Sequence, residues 1–286
     1  MLSMFRAAFF SVERRAVCIN SARSDSTNHI GAIIGYSSCM QILKTGNFEI
    51  AANMSGDEQA AKIAILLPGR LDTKDYANFT SHAEYLSQKG FFVIAIDAPG
   101  TWDSPGGLSD YSTTTYLKSI HELIGYFGGR PTLLLGHSRG GATAMLASTN
   151  PAVVGLAVVN AAYGMPTPPD PERMENGALV EYRDLPPGDV RTKEKRRYDL
   201  PMAYFEDGGK HNPLAALVSY GGPKLIAHAT QDEFTSLSEV KKIFGSLSEP
   251  KMFLKVDCTH DYRLYPEVIQ TVNEALGEFI DKYLPV

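Results

Sequence analysis

Cysteine is scarce in this chain of 286 residues, which holds only Cys18, Cys39 and Cys258. Three scattered thiols support neither a disulfide framework nor a zinc site, and they favour a reducing compartment. Long apolar runs are missing as well. None approaches the roughly 20 residues that a helix needs to span a bilayer, so no transmembrane segment is expected. There is no excess of positive charge either. With 27 Lys and Arg against 32 Asp and Glu, the formal net charge is -5, which removes the electrostatic case for nucleic-acid binding. Internal repeats and low-complexity tracts are also absent. What remains is 44% hydrophobic and 21% charged, the balance of globular material long enough to bury a sizeable core.

The first 40 residues stand apart. Residues 1–30 carry Arg6, Arg14, Arg15 and Arg23 against only Glu13 and Asp25, with many serines. On a helical wheel Leu2, Phe5, Phe9, Val12 and Ala16 share one face, with Arg6 and Arg14 outside it. This is the composition of a mitochondrial transit peptide, and a disordered extension is the competing reading. A cytoplasmic or a mitochondrial matrix location follows. In either case residues 1–40 are set aside from the fold.

From Gln41 a regular alternation begins. Gln41–Lys44 and Phe48–Ala52 flank Thr45-Gly46-Asn47 as a hairpin. Continuous apolar runs at 62–67, 91–96, 132–135 and 155–159 read as strands buried on both faces. Helical spacing appears over 79–89, 116–127 and 142–147. After 223 the alternation resumes, with strands at 224–229 and 252–256 and helices at 236–244 and 265–283. Strands separated by crossover helices require a mostly parallel sheet with helices on both faces, the α/β class. The pattern breaks between Ala161 and Pro223, which is rich in Pro, Gly and charge. This stretch is expected to be an insertion lying over the strand ends as a short cap, with one or two helices within 200–217. Its Lys/Arg cluster, Arg191 to Arg197, reads as a solvated surface, with a site for an anionic substrate as the sharper alternative.

The chain is organised around Thr132-Leu133-Leu134-Leu135-Gly136-His137-Ser138-Arg139-Gly140-Gly141. Gly-x-Ser-x-Gly between a buried strand and a helix is the pattern of a nucleophile elbow. A serine on so sharp a turn sits in strained backbone, and residues two positions away must lack clashing side chains. A hydroxyl is a weak nucleophile without a base in reach, and that base needs a third group to orient it. Thr230-Gln231-Asp232-Glu233 and Asp257-Cys258-Thr259-His260-Asp261 each follow a strand, where parallel sheets gather functional groups. The order Ser138, Asp232, His260 suits this elbow type. Asp257 and Asp261 lie too close to His260 in sequence to turn back on its ring. An oxyanion would be held by the backbone N–H groups of Arg139, after the nucleophile, and Arg70, in Pro68-Gly69-Arg70. The side chains of both arginines are expected to form structural ion pairs with Asp72 or Asp75. His137 is read as structural and His228 as a satisfied core histidine, while His29, His82, His121 and His211 show no partner logic. Tyr163, Met165, Tyr204 and Phe205 are candidates for an apolar lining in the cap.

These motifs resemble the α/β-hydrolase superfamily from about Gln41 to the end. Gly136-His137-Ser138-Arg139-Gly140 matches its elbow, Pro68-Gly69-Arg70 its oxyanion loop with proline in place of histidine, and Asp97-Ala98-Pro99-Gly100 its post-strand Asp-x-x-Gly. The likeness is to small hydrolases with a short cap, in the serine aminopeptidase-like and esterase group. It implies an eight-stranded sheet, a cap after the sixth strand, no cofactor and no metal. The expected activity is that of a serine hydrolase acting on a small-molecule acyl ester. An acyltransferase or thioesterase using the same residues, and a non-catalytic ligand-binding relative, are the alternatives.

Overall fold

The computed structural model describes residues 40–285 and the backbone of Arg15–Ala16. The remainder of the N-terminal segment, and with it the transit-peptide reading, Cys18, His29 and Cys39, lies outside the described residues. The elements in chain order are β1 (Arg15–Ala16), β2 (Met40–Lys44), β3 (Glu49–Ser55), β4 (Ile63–Leu67), α1 (Ala77–Gln88), β5 (Phe92–Ile96), α2 (Thr113–Tyr126), β6 (Thr132–His137), α3 (Ser138–Ala147) and β7 (Val153–Val159). Then come β8 (Met174–Glu175), β9 (Ala178–Asp184), β10 (Lys195–Pro201), α4 (Met202–Gly208), α5 (Pro213–Ser219), β11 (Lys224–Gln231), α6 (Leu237–Ser246), β12 (Lys251–Thr259) and α7 (Pro266–Tyr283).

The main sheet runs β1-β2-β3-β5-β4-β6-β7-β11-β12. Its eight longer strands are those expected from the sequence, and the two-residue β1 adds to the outer edge of β2. From β5 to β12 every neighbouring pair is parallel, whereas β2 and β3 pair antiparallel. Alternate residues of each buried strand feed two cores. Ile63, Ile65 and Leu67 of β4 pack with Ile120 and Leu123 of α2 and Met145 of α3. Ala64 and Leu66 face the other way, toward Phe79 and Leu86 of α1 and the Val272-Leu276-Phe279 stripe of α7. Apolar burial on both faces is what a parallel sheet between helix layers demands.

The 161–223 segment is more ordered than its sequence suggested. Helices α4 and α5 fall where short helices were expected, but β8, β9 and β10 form a three-stranded antiparallel sheet that the sequence pattern does not signal. The reason lies in the alternation of β9. Leu179 is buried, yet Glu181 and Arg183 on the same side are ionic partners of the body, while Tyr182 on the other side is 52% exposed. A polar inward face and an aromatic outward one erase the usual strand signature. Arg183 donates to the Arg70 carbonyl at 3.0 and 2.9 Å, Tyr76 donates to the Asp184 carbonyl at 2.9 Å, and Arg263 donates to Asp184 Oδ2 at 2.6 Å. These bonds fasten the small sheet to the loop after β4 and to the start of α7.

Two features fix the loops at the carboxyl ends of β4, β5 and β6. The first is backbone proximity. A Cβ on Gly140 would stand 2.0 Å from the Leu67 carbonyl oxygen, and one on Gly136 would stand 2.5 Å from the Gly140 carbonyl oxygen. The second is Lys74, whose side chain is 1% exposed. Its ammonium lies 2.7 Å from Asp75 Oδ2, 3.0 Å from Asp97 Oδ2 and 2.7 Å from Asp103 Oδ2. Burial alone would lower its pKa, but the charges of Asp97 and Asp75 and the bonds to Asp103 and Asp75 raise it above the ordinary lysine value. It is a fixed cation joining the loop after β4 to the loop after β5.

Gly140→Ala is expected to lower the unfolding free energy by about 3 kcal/mol, because backbone and not a flexible side chain must move; a urea midpoint unchanged from the parent would contradict the close approach. Lys74→Met is expected to cost about 3 kcal/mol or more at neutral pH by leaving Asp97 buried and uncompensated. The deficit should shrink as the pH is lowered and the freed carboxylates protonate. Denaturation at pH 7 and pH 4 measures this, and an equal deficit at both would count against it.

Candidate active site

The turn between β6 and α3 holds Ser138 at φ +52°, in the left-handed region that residues with a Cβ rarely occupy. The chain reverses from strand to helix there, so the hydroxyl projects from the carboxyl edge of the sheet. Two other strand ends meet it. Strand β11 ends beside Asp232 and β12 ends beside His260, because both run parallel to β6.

His260 Nε2 lies 2.8 Å from Ser138 Oγ, and His260 Nδ1 lies 2.6 Å from Asp232 Oδ2. With its Nδ1–H donating to the carboxylate, the ring leaves the Nε2 lone pair for the serine proton. Asp232 is itself fixed, since its Oδ1 accepts from the N–H groups of Phe234 at 2.9 Å and Thr235 at 2.8 Å. Burial would raise the Asp232 carboxyl, but the hydrogen bond and charge of His260 and these two N–H bonds hold it below the ordinary range. The group therefore stays ionised. Ser138, Asp232 and His260 are brought together as their order in the chain suggested.

Three residues whose part was not read from the sequence hold the His260 loop. Glu233 Oε2 accepts from the His260 N–H at 3.0 Å. Asn160, 1% exposed at the end of β7, donates to the His260 carbonyl at 3.0 Å and accepts from the Ala229 N–H at 2.8 Å. His137, expected to be structural, takes such a part here: its Nε2–H donates to the His260 carbonyl at 3.1 Å, and its Nδ1 stands 3.3 Å from Asp72 Oδ2. A histidine beside the elbow serine was the one sequence signal for this. Nothing local announces the other two, whose partners lie 27 and 100 residues away.

Arg139 occupies the first turn of α3, where helix N–H groups lack intrahelical acceptors. Arg70 follows β4 across the same cavity, and both residues line it. Their expected ion pairs with Asp72 or Asp75 are not formed. Arg70 pairs with Glu181 at 2.8 Å, Asp72 faces Arg183 and His137, and Asp75 faces Lys74. Among the described residues no carboxylate lies within 4.0 Å of the Arg139 guanidinium, which reaches only the Gly164 carbonyl at 3.5 Å. Gly69 sits close to both Ser138 and Asp72, where a Cβ would meet Asp72 Oδ2 at 2.5 Å.

The remaining histidines have other duties. His82 bridges Asn273 and Tyr262 in the core, and burial lowers its pKa to about 4. His228 Nε2 donates to the Thr235 carbonyl at 2.9 Å, but its Nδ1 has no partner among the described residues, so it is only half satisfied there. His121 meets Asn150, and His211 meets Thr114. Cys258 is buried, and burial followed by the charges of Asp257 and Asp232 pushes its thiol up to about 12; it stays protonated near neutrality. Asp257 binds Thr230 and Gln231, and Asp261 binds Arg191, away from the His260 ring.

The cavity over Ser138 encloses about 630 Å³. Tyr163 and Met165 line it as anticipated, whereas Tyr204 and Phe205 are buried in the core, with Tyr204 stacked on Tyr111 at 4.9 Å. Phe234, 75% exposed, sets its ring edge to face against His260 at 4.6 Å. Among the described residues no helix is long and apolar enough to cross a membrane.

Known proteins share this arrangement of elements. A mouse protein described as palmitoyl-protein thioesterase ABHD10, mitochondrial, is 19% identical over 222 residues, spanning 76% of this chain and 75% of its own. The solved structure of mouse alpha/beta hydrolase domain-containing protein 10 superposes with a TM-score of 0.66 at 17% identity, covering 85% of this chain and 98% of that one. Est1E from Butyrivibrio proteoclasticus, solved with ferulic acid bound, superposes at 0.67 with 19% identity over 85% of this chain and 98% of its own. A thioesterase domain from the curacin biosynthetic pathway does so at 0.63 and 15% identity over 83% and 98%. The sequence profile of the alpha/beta hydrolase family matches residues 64–278. On that match and on the sheet order described above, the chain belongs to the alpha/beta hydrolase family.

Proposed function

We propose that this protein is a serine hydrolase that cleaves a carboxylic ester through an acyl-enzyme on Ser138. In this reading residues 41–286 form the hydrolase domain, with 161–223 as its cap. The observation that supports it most is the line from Ser138 Oγ through the His260 ring to Asp232, with contacts of 2.8 and 2.6 Å. Ser138 Oγ attacks the carbonyl carbon while His260 Nε2 takes its proton. The negative charge that develops on the carbonyl oxygen is held by the backbone N–H groups of Arg139 and Arg70. The tetrahedral intermediate collapses, the C–O bond breaks, and His260 returns the proton to the departing alcohol. Water then attacks the acyl-enzyme by the same route and releases the acid. Asp232 remains ionised throughout, holding the ring and stabilising its charged form.

A thioester is the second substrate bond to consider, favoured by the thioesterase names of ABHD10 and of the curacin domain. The same groups serve it, with a thiolate as the leaving group. The word mitochondrial in the name of the mouse relative, together with the Arg- and Ser-rich residues 1–30, supports a mitochondrial matrix location over a cytoplasmic one.

Ser138→Ala is expected to abolish turnover of 4-nitrophenyl butyrate and labelling by a fluorophosphonate probe; labelling that survives this change would end the proposal. Asp232→Asn keeps the hydrogen-bonding shape but presents the wrong partner to the ring. Its kcat should fall on the order of 10³–10⁴-fold, measured with the same ester, and a loss below tenfold would place the orienting group elsewhere.

A further inference from the structure

The lining of the cavity departs from the charge of the whole chain. The chain is net negative, yet the cavity wall carries six Arg and Lys against five Asp and Glu. Every one of the five carboxylates already has a partner. Asp72, Glu181, Asp184 and Asp261 face arginines, and Glu233 accepts from the His260 backbone.

The cations are less fully used. Arg139, next to Ser138, makes a single long contact to a carbonyl. Arg191 is 61% exposed in its side chain, with one contact to Asp261 at 3.3 Å, and Lys195 stands 3.7 Å from an Asp184 already bound by Arg263 at 2.6 Å. Both come from the cluster that sequence alone would assign to bulk solvent. All seven residues of that cluster are exposed, but Lys193, Arg196 and Arg197 lie outside the cavity wall, whereas Arg191 and Lys195 stand on it.

We infer that the cavity takes an acyl substrate bearing an anionic group, a carboxylate or a phosphate, bound by the Arg139 guanidinium and drawn in by Arg191 and Lys195. This deepens the hydrolase reading and rests on it. Guanidinium offers a planar fork of donors to such a group, and charge-assisted bonds of this kind are stronger than neutral ones. The anion lies at the acyl end or at the leaving-group end of the substrate, and matched pairs separate these.

For the acyl end, mono-4-nitrophenyl glutarate is compared with 4-nitrophenyl valerate, which has the same number of acyl carbons. For the leaving-group end, butyryl-coenzyme A is compared with S-butyryl-N-acetylcysteamine. The full-length protein is expected to show a kcat/KM about tenfold or more higher for the anionic member of one pair, the size of a single charge-assisted hydrogen bond. The preference should reside mainly in KM and weaken as salt is raised to about 0.5 M. Arg139→Gln should reduce the anionic-to-neutral ratio severalfold, and because the ratio is taken within one variant, general damage to turnover cancels. The double change Arg191→Gln and Lys195→Gln should reduce it independently. Turnover of the neutral members with no anionic preference in either pair overturns the inference and leaves the hydrolase reading standing. So does a preference that both sets of variants leave unchanged. Absence of turnover on all four substrates removes the hydrolase reading and the inference with it.

Discussion

Everything at the carboxyl edge of the sheet depends on how closely three pieces of backbone approach. Strand β4, strand β6 and the first turn of α3 meet where Gly136 and Gly140 leave no room for a methyl group. That contact forces the reversal that holds Ser138 at φ +52°. Left-handed backbone at a residue with a Cβ is strained, and it persists only where the surroundings over-determine it. Here they consist of two parallel strands and a helix start, all buried in the same core.

The histidine loop shows a different way of fixing geometry. No close packing of glycines holds it. His260 is tethered through its own backbone, by Glu233 at the N–H and by Asn160 and His137 at the carbonyl. Its ring is then pinned by Asp232 and flanked by Phe234. With both ends of one residue tied by side chains from three other strand ends, little rotation is left to the imidazole. Orientation of this quality is what proton transfer between positioned groups requires.

The fold was legible where periodicity was strong. Ile63–Leu67 and Phe92–Ile96 declare themselves by continuous apolar character, and α7 by Val268, Val272, Leu276, Phe279 and Ile280. The Gly136-to-Gly140 pattern pointed to the serine, and chain order pointed to Asp232 and His260. What could not be read was set by contacts between distant segments. The sheet of β8–β10 hid because its inward residues, Glu181 and Arg183, are polar. They meet Arg70 and Asp72 rather than a hydrophobic layer. The ion pairs of Arg70 were misassigned for the same reason, as nearby acids in sequence were preferred over Glu181, 111 residues away. Asn160 gives no local sign at all, since both its partners arrive from β11 and β12.

The knot of Lys74 with Asp75, Asp97 and Asp103 has one more consequence. Three carboxylate oxygens gathered within 4.8 Å of one another would serve a divalent ion well, and many proteins clamp a surface loop in that way. Here the cation grows from the chain itself. A clamp of this kind needs no loading step and does not compete with cellular calcium or magnesium. A chelator cannot strip it, so the loop carrying Gly69 and Arg70 takes its shape whenever the chain folds, whatever the ionic supply around it.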